Sequence, residues 1–102
     1  MTPTPLTPAA FAASLRDDAP PQELPPLLLA LWHAGRDDWE AAHRIAQDQE
    51  GEAAAAVHAY LHRVEGDQSN ARYWYRRAGR DEHAGTTAAE WDDLARELLQ
   101  AR

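Results

Sequence analysis

The stretch Leu61-His62-Arg63-Val64-Glu65-Gly66-Asp67-Gln68-Ser69-Asn70-Ala71-Arg72-Tyr73-Trp74-Tyr75-Arg76-Arg77-Ala78-Gly79 decides the fold. Gly66 ends one helix, because glycine enters the left-handed backbone region without a steric penalty. Asp67 then offers a side-chain acceptor to the free N–H groups of the next helix. After it, Ala71, Trp74, Tyr75 and Ala78 recur at helical spacing until Gly79 stops the run. A turn this short forces the two helices to lie antiparallel and in contact.

Working outward, the helix before the turn runs from about Glu52 to Glu65, with Ala54, Val57, Leu61 and Val64 as a stripe of helical period. Gly51 separates it from a helix carrying Trp39, Ala42, Ile45 and Ala46, capped by Asp37 or Asp38. Gly35 stops the helix before that, which opens at Pro25-Pro26 and places Leu27, Leu28, Leu31 and Trp32 on its apolar side. Thr7 and Pro8 start a first short helix, with Phe11 and Leu15 one turn apart, ending near Asp18. Downstream, Thr87-Ala-Ala-Glu90 reads as a capping box for a last helix with Trp91, Leu94, Ala95 and Leu98 inward. No window alternates apolar and polar residues in the way a strand requires. The expectation is an all-α fold of about six short helices, stacked as antiparallel hairpins. Residues 1–7, punctuated by prolines, are expected to be a flexible segment, and residues 8–102 a single helical domain.

Leu31 to Ala46 and Leu61 to Ala78 repeat one plan at an offset of about thirty residues: helix, glycine turn, aspartate cap, alanine-and-aromatic helix. Gly35 to Ala41 is one residue longer than Gly66 to Ala71. The segment Gly66 to Ala78 resembles the second half of a tetratricopeptide or Sel1-like repeat, which implies stacked hairpins with a shared core. Between Trp39 and Arg80 the chain also resembles a family of small uncharacterised bacterial proteins. The residues that carry this are Trp39-Glu-Ala-Ala-His43, His58-Ala-Tyr-Leu-His62-Arg, Glu65-Gly-Asp67 and Asn70-Ala-Arg-Tyr-Trp-Tyr-Arg-Arg-Ala-Gly79. That resemblance implies no particular activity.

The bulk composition narrows the chemistry. The chain has 102 residues, no cysteine and no lysine, and a formal charge of −7. Thiolate zinc sites, disulfides, cysteine nucleophiles and Schiff-base lysines are excluded. The acidic balance works against nucleic acid and anionic membrane surfaces as partners. The longest strongly apolar run, Leu27 to Trp32, is far shorter than a membrane-crossing helix needs. Met1 to Pro8 lacks the basic and apolar parts of a secretory signal, so a cytoplasmic location is expected.

Histidine is the sharpest chemical signal. His58 and His62 stand four apart and share a helix face, with Glu65 one turn further on. His43, on the preceding helix, is placed to meet them across the hairpin. Three imidazoles and a carboxylate suit zinc or another borderline metal; the alternative is that they hydrogen-bond within the seam. A second signal is a basic ridge. From Arg63 to Arg80 there are five arginines and two acids, with Arg72, Arg76 and Arg80 at four-residue spacing and Tyr73 and Arg77 beside them. Arginine forks bind carboxylates and phosphates; here they are also expected to pair with the chain's own acids, such as Glu40, Asp48 or Asp81. Trp32, Trp39, Trp74 and Trp91 all fall at core-compatible positions. Asp37-Asp38 and Asp92-Asp93 read as helix-start charges, and Ser14 and Ser69 have no evident base.

Two functions follow as expectations. The first is a module that binds a protein or peptide along a groove including Tyr73, Arg76, Arg77 and the histidines, with a homodimer as one form of partner. The second is a small ligand- or metal-binding protein, or an enzyme, built on His43, His58, His62 and Glu65. No catalytic residue is assigned.

Overall fold

Helix α4 (Glu52–Val64) is the element around which the others are arranged in the computed structural model, which describes residues 6–101. Nine consecutive residues, Ala54 to His62, are buried. A helix buried all round lies inside a bundle rather than on its surface. Around it stand α2 (Pro26–Gly35), α3 (Trp39–Gln47), α5 (Gln68–Ala78) and α6 (Thr87–Gln100), each packed against α4. The small side chains of Ala54, Ala55, Ala56 and Ala59 leave room for these neighbours on several sides. Helix α1 (Pro8–Ala13) continues as a short 3-10 turn, Ser14–Arg16, and lies against α6. The architecture is thus an all-α bundle of six helices with no strand among the described residues. The expectation for residues 1–7 falls mostly on residues 1–5, outside the described residues.

Phe11, Leu28, Leu31, Val57 and Leu61 are the largest fully buried side chains. Phe11 stacks on Trp91 at 5.4 Å, which ties α1 to α6. Two of the four indoles are core residues with satisfied donors. Trp32 donates to the Ser14 carbonyl at 3.2 Å and Trp91 to the Leu31 carbonyl at 2.7 Å. Arg36 donates to the carbonyls of Leu15 and Asp17 and lies over the Trp32 ring, closing the end of α1 onto α2.

The two hairpins repeat with a register that glycine conceals. Asp38 and Asp67 cap α3 and α5 in the same way, each accepting from the third N–H beyond it at 3.2 Å. Their own N–H groups donate to His33 and His62 carbonyls, both at 2.9 Å. The residue before each cap is left-handed: Gly66 at φ 87° and Asp37 at φ 62°. The counterpart of Gly66 is therefore Asp37, and twenty-nine residues separate Asp38 from Asp67. Gly35 has a different task. It is the last residue of α2, and a Cβ there would come within 2.8 Å of the Leu15 side chain. The apparent extra residue in the first hairpin arises from matching the wrong glycine.

Other local expectations are corrected by tertiary contacts. Thr86, not Thr87, caps α6, accepting from Ala89 N–H at 3.0 Å. Glu90 therefore falls one position late for a capping box, and its carboxylate is buried among partners from other helices. Val64 is 45% exposed rather than inward. Helix α3 ends at Gln47, before Gly51 is reached, and α1 gives way to the 3-10 turn at Ser14. Replacing Asp37 by glycine should relieve the left-handed strain and raise the urea-unfolding free energy by about 0.5–1 kcal/mol. Gly66→Ala should lower it by a similar amount in the same assay.

Candidate metal centre

His58 and His62 project from adjacent turns of α4, on the side where α3 and α5 pack. Their rings stack on each other at 4.9 Å. Both are buried, 7% and 6% exposed, which sets them apart from ordinary surface histidines. His43 comes in from α3 and meets both rings edge-on, at 4.7 Å and 5.4 Å between centroids. One ligating nitrogen from each of the three histidines lies within 4.8 Å of the others. The hairpin thus brings together the three residues that the spacing suggested.

The closest pair carries the chemistry. His43 Nε2 and His58 Nε2 are 2.9 Å apart. That is an ordinary hydrogen-bond distance, in which the Nε2–H of one neutral ring donates to the lone pair of the other. A metal ion held by both nitrogens would displace that proton. Tetrahedral zinc with Zn–N bonds of about 2.0–2.1 Å sets its ligand nitrogens about 3.3 Å apart. The pair therefore needs to open by only a few tenths of an ångström, while His62 closes in.

His62 is already held from behind. Its Nδ1 is 2.6 Å from Glu65 Oε1, one turn along the chain. A carboxylate on one imidazole nitrogen fixes the tautomer and leaves Nε2 as the free ligand atom. Glu65 caps the C-terminus of α4, so the Gly66 turn that ends the helix also fixes this carboxylate.

Electrostatics favour neutral, ligand-ready rings. Burial, reinforced by His43 and then His62, pushes His58 from 6.5 down to about 4. Burial followed by His62 also lowers His43, with Glu65 opposing. At neutral pH these two imidazoles carry no extra proton, the form in which histidine binds a metal.

Two tryptophans assigned to the core by their spacing pack against it, partly buried, and also form the walls of the cluster. Trp39 stacks on His43 at 4.6 Å and nearly parallel, one helical turn before it on α3. Its indole N–H donates to the Leu61 carbonyl at 2.6 Å, which locks the ring. Trp74 of α5 stacks on His58 at 3.9 Å. Only the Trp39–His43 spacing, four residues on one helix, hinted at this; the Trp74 contact depends on α4–α5 packing.

The basic ridge is dispersed. Arg77 lies over the Trp74 and Tyr73 rings and donates to the Tyr73 hydroxyl at 3.2 Å. Tyr73 is 44% exposed, and Arg76 is exposed as well. Tyr73 and Arg77 thus contact Trp74, which in turn stacks on His58. Arg80 pairs with Glu97 of α6 rather than with Glu40, Asp48 or Asp81. A cleft of about 380 Å³ has His58, Trp74 and Arg77 in its wall, together with Glu50 and Glu52.

A second polar cluster was not legible in the sequence. Glu90, 3% exposed, accepts from Arg63 Nη1 at 2.8 Å and from the Tyr75 hydroxyl at 2.5 Å. Arg63 also donates to the Gly85 carbonyl. Burial, with the Glu90 hydrogen bond second, raises the Tyr75 phenol. Every group in this cluster is satisfied within the fold, and it reads as a tie between α4, α5 and α6.

Compared with known protein families, curated proteins and solved structures, the chain matches none. The geometry of the cluster is therefore what bears on function.

The depressed His58 sets a direction for acid stability. Between about 6.5 and 4 the unfolded chain binds a proton at this position that the folded chain refuses. Its stabilising contribution is complete above that window and is lost as the pH falls through it. Metal-free protein should show a melting temperature that declines across this range, and His58→Gln should flatten the decline relative to wild type in calorimetry.

Proposed function

We propose that this protein binds a divalent metal ion, zinc foremost, through His43, His58 and His62, with Glu65 orienting His62. The single observation that carries the reading is the convergence of one ligating nitrogen from each of the three histidines within 4.8 Å of the others, in a site where burial keeps His43 and His58 neutral. A borderline ion suits neutral imidazole donors. Three protein ligands leave a coordination position for water or an exogenous molecule, the arrangement found where zinc acts rather than merely braces. The stacked indoles of Trp39 and Trp74 restrict the imidazole planes, so little ordering remains to be done when the ion arrives.

Protein purified without an affinity tag should carry, or take up, one zinc per chain by mass spectrometry of the metal content. His43→Gln and His58→Gln should each abolish stoichiometric uptake. Glu65→Gln should keep the stoichiometry and weaken affinity by about 10–100-fold, as for other carboxylates behind a ligating histidine. A wild-type protein that takes up no zinc, cobalt or nickel would end this reading.

A second reading is supported by one surface feature. Tyr73 is a large exposed aromatic beside Arg76 and Arg77, on a hairpin resembling tetratricopeptide or Sel1-like repeats. Such a patch suits an acidic peptide or protein partner. Tyr73→Ser combined with Arg76→Glu should then abolish crosslinks to that partner while leaving zinc stoichiometry intact.

A further inference from the structure

The cleft of about 380 Å³ is lined by the α3–α4 connection, the first turns of α4 and one side of α5. Its size suits a small molecule rather than a folded partner. Ala46, Ala54 and Ala55 give it a buried apolar lining, and Trp74 adds an indole. His58 is part of the wall. Its Nε2 is engaged with His43, whereas its Nδ1 bonds to no protein group. Among the described residues no buried side-chain nitrogen or oxygen lacks a partner. This Nδ1 is therefore reached by solvent, through the cleft that the ring lines.

The charges of the wall are open as well. Arg77 lies over the Tyr73 and Trp74 rings and donates one N–H to the Tyr73 hydroxyl. The chain has 17 acidic and 10 basic side chains, yet among the described residues no carboxylate pairs with Arg77. A guanidinium positioned by two rings, with most of its donors free, is ready for a carboxylate. Glu52 stands beside Gly79 and supports the charge of Arg80. Glu50, the other acid of the wall, is exposed and forms no ion pair. One cleft thus holds a cation and an anion that do not neutralise each other. A ligand with a single charge meets attraction from one and repulsion from the other. A ligand with both charges matches the pair.

We infer that this cleft binds a small zwitterion of the amino-acid or dipeptide type, with its carboxylate on Arg77, its ammonium on Glu50 and its body against Trp74 and His58. The apolar lining takes an aliphatic side chain, and His58 Nδ1 donates to or accepts from the ligand according to its tautomer. Arg77 is held before the ligand arrives, so little ordering is left to oppose binding. The site needs no metal ion, and it stands whether or not the three histidines hold one.

Chelator-treated protein, titrated with leucylglycine and followed by NMR, tests this apart from zinc uptake. The Trp74 indole N–H and the Gly51 amide should move saturably, while the indole N–H of Trp91, buried in the core, stays in place. N-acetyl-leucylglycine lacks the ammonium and leucylglycinamide lacks the carboxylate. Each should bind about 10-fold more weakly than leucylglycine, the loss of one charge-assisted contact. Arg77→Gln should weaken leucylglycine by the same factor and leave leucylglycinamide unchanged. Glu50→Gln should do the same to leucylglycine and leave N-acetyl-leucylglycine unchanged. Both side chains are exposed, so neither substitution threatens the fold. No saturable movement with leucylglycine or with free leucine overturns the inference. So does a singly charged analogue that binds as tightly as the zwitterion, or a leucylglycine affinity that neither substitution changes. None of these results bears on whether zinc binds the histidines.

Discussion

Between Ala54 and His62, α4 has no face turned to water. The two imidazoles on that stretch must find partners inside the bundle, and every neighbouring helix must accept the shape of its side chains. The alanines answer the second demand by being small. The histidines answer the first by meeting each other, His43 and Glu65. Moving α4 outward would relieve both constraints, but Val57 and Leu61 sit at the centre of the core and hold it there.

Because α4 is fixed on all sides, the elements around it act as a rigid frame for the cluster. Helix α3 brings His43 and Trp39 as a stacked pair, and α5 brings Trp74 onto the opposite side. The Gly66 turn sets Glu65 behind His62. At the far face, Arg63, Tyr75 and Glu90 bind α4, α5 and α6 through a satisfied buried network. Removing one partner there would strand a buried charge, so the tie is costly to break once formed. The two polar clusters do different work from the same helix. One is closed on itself and reads as structure. The other brings three ring nitrogens within 4.8 Å of one another and is the candidate site.

The cluster also explains why His43 and His58 are neutral. Burial penalises the charged form, and an imidazolium at either position would face another ring at close range. Neutral imidazole is also the form in which a histidine binds a metal ion.

By itself the sequence determined what depends on neighbours along the chain. Helical spacing and aspartate caps placed the hairpins, and four- and three-residue intervals put His58, His62 and Glu65 on one face, because helix geometry is local. The tertiary structure alone decided which of two similar local signals was real. Gly35 imitated a turn glycine, yet its missing Cβ makes room for Leu15, and Asp37 took the left-handed position. Thr87 and Glu90 imitated a capping box, yet Arg63 and Tyr75 claim that carboxylate. Trp39 and Trp74 carried core spacing, but whether an indole packs on leucine or on imidazole depends on which helix arrives opposite it. Those choices are made by packing between residues distant in sequence, where no local pattern records the partner.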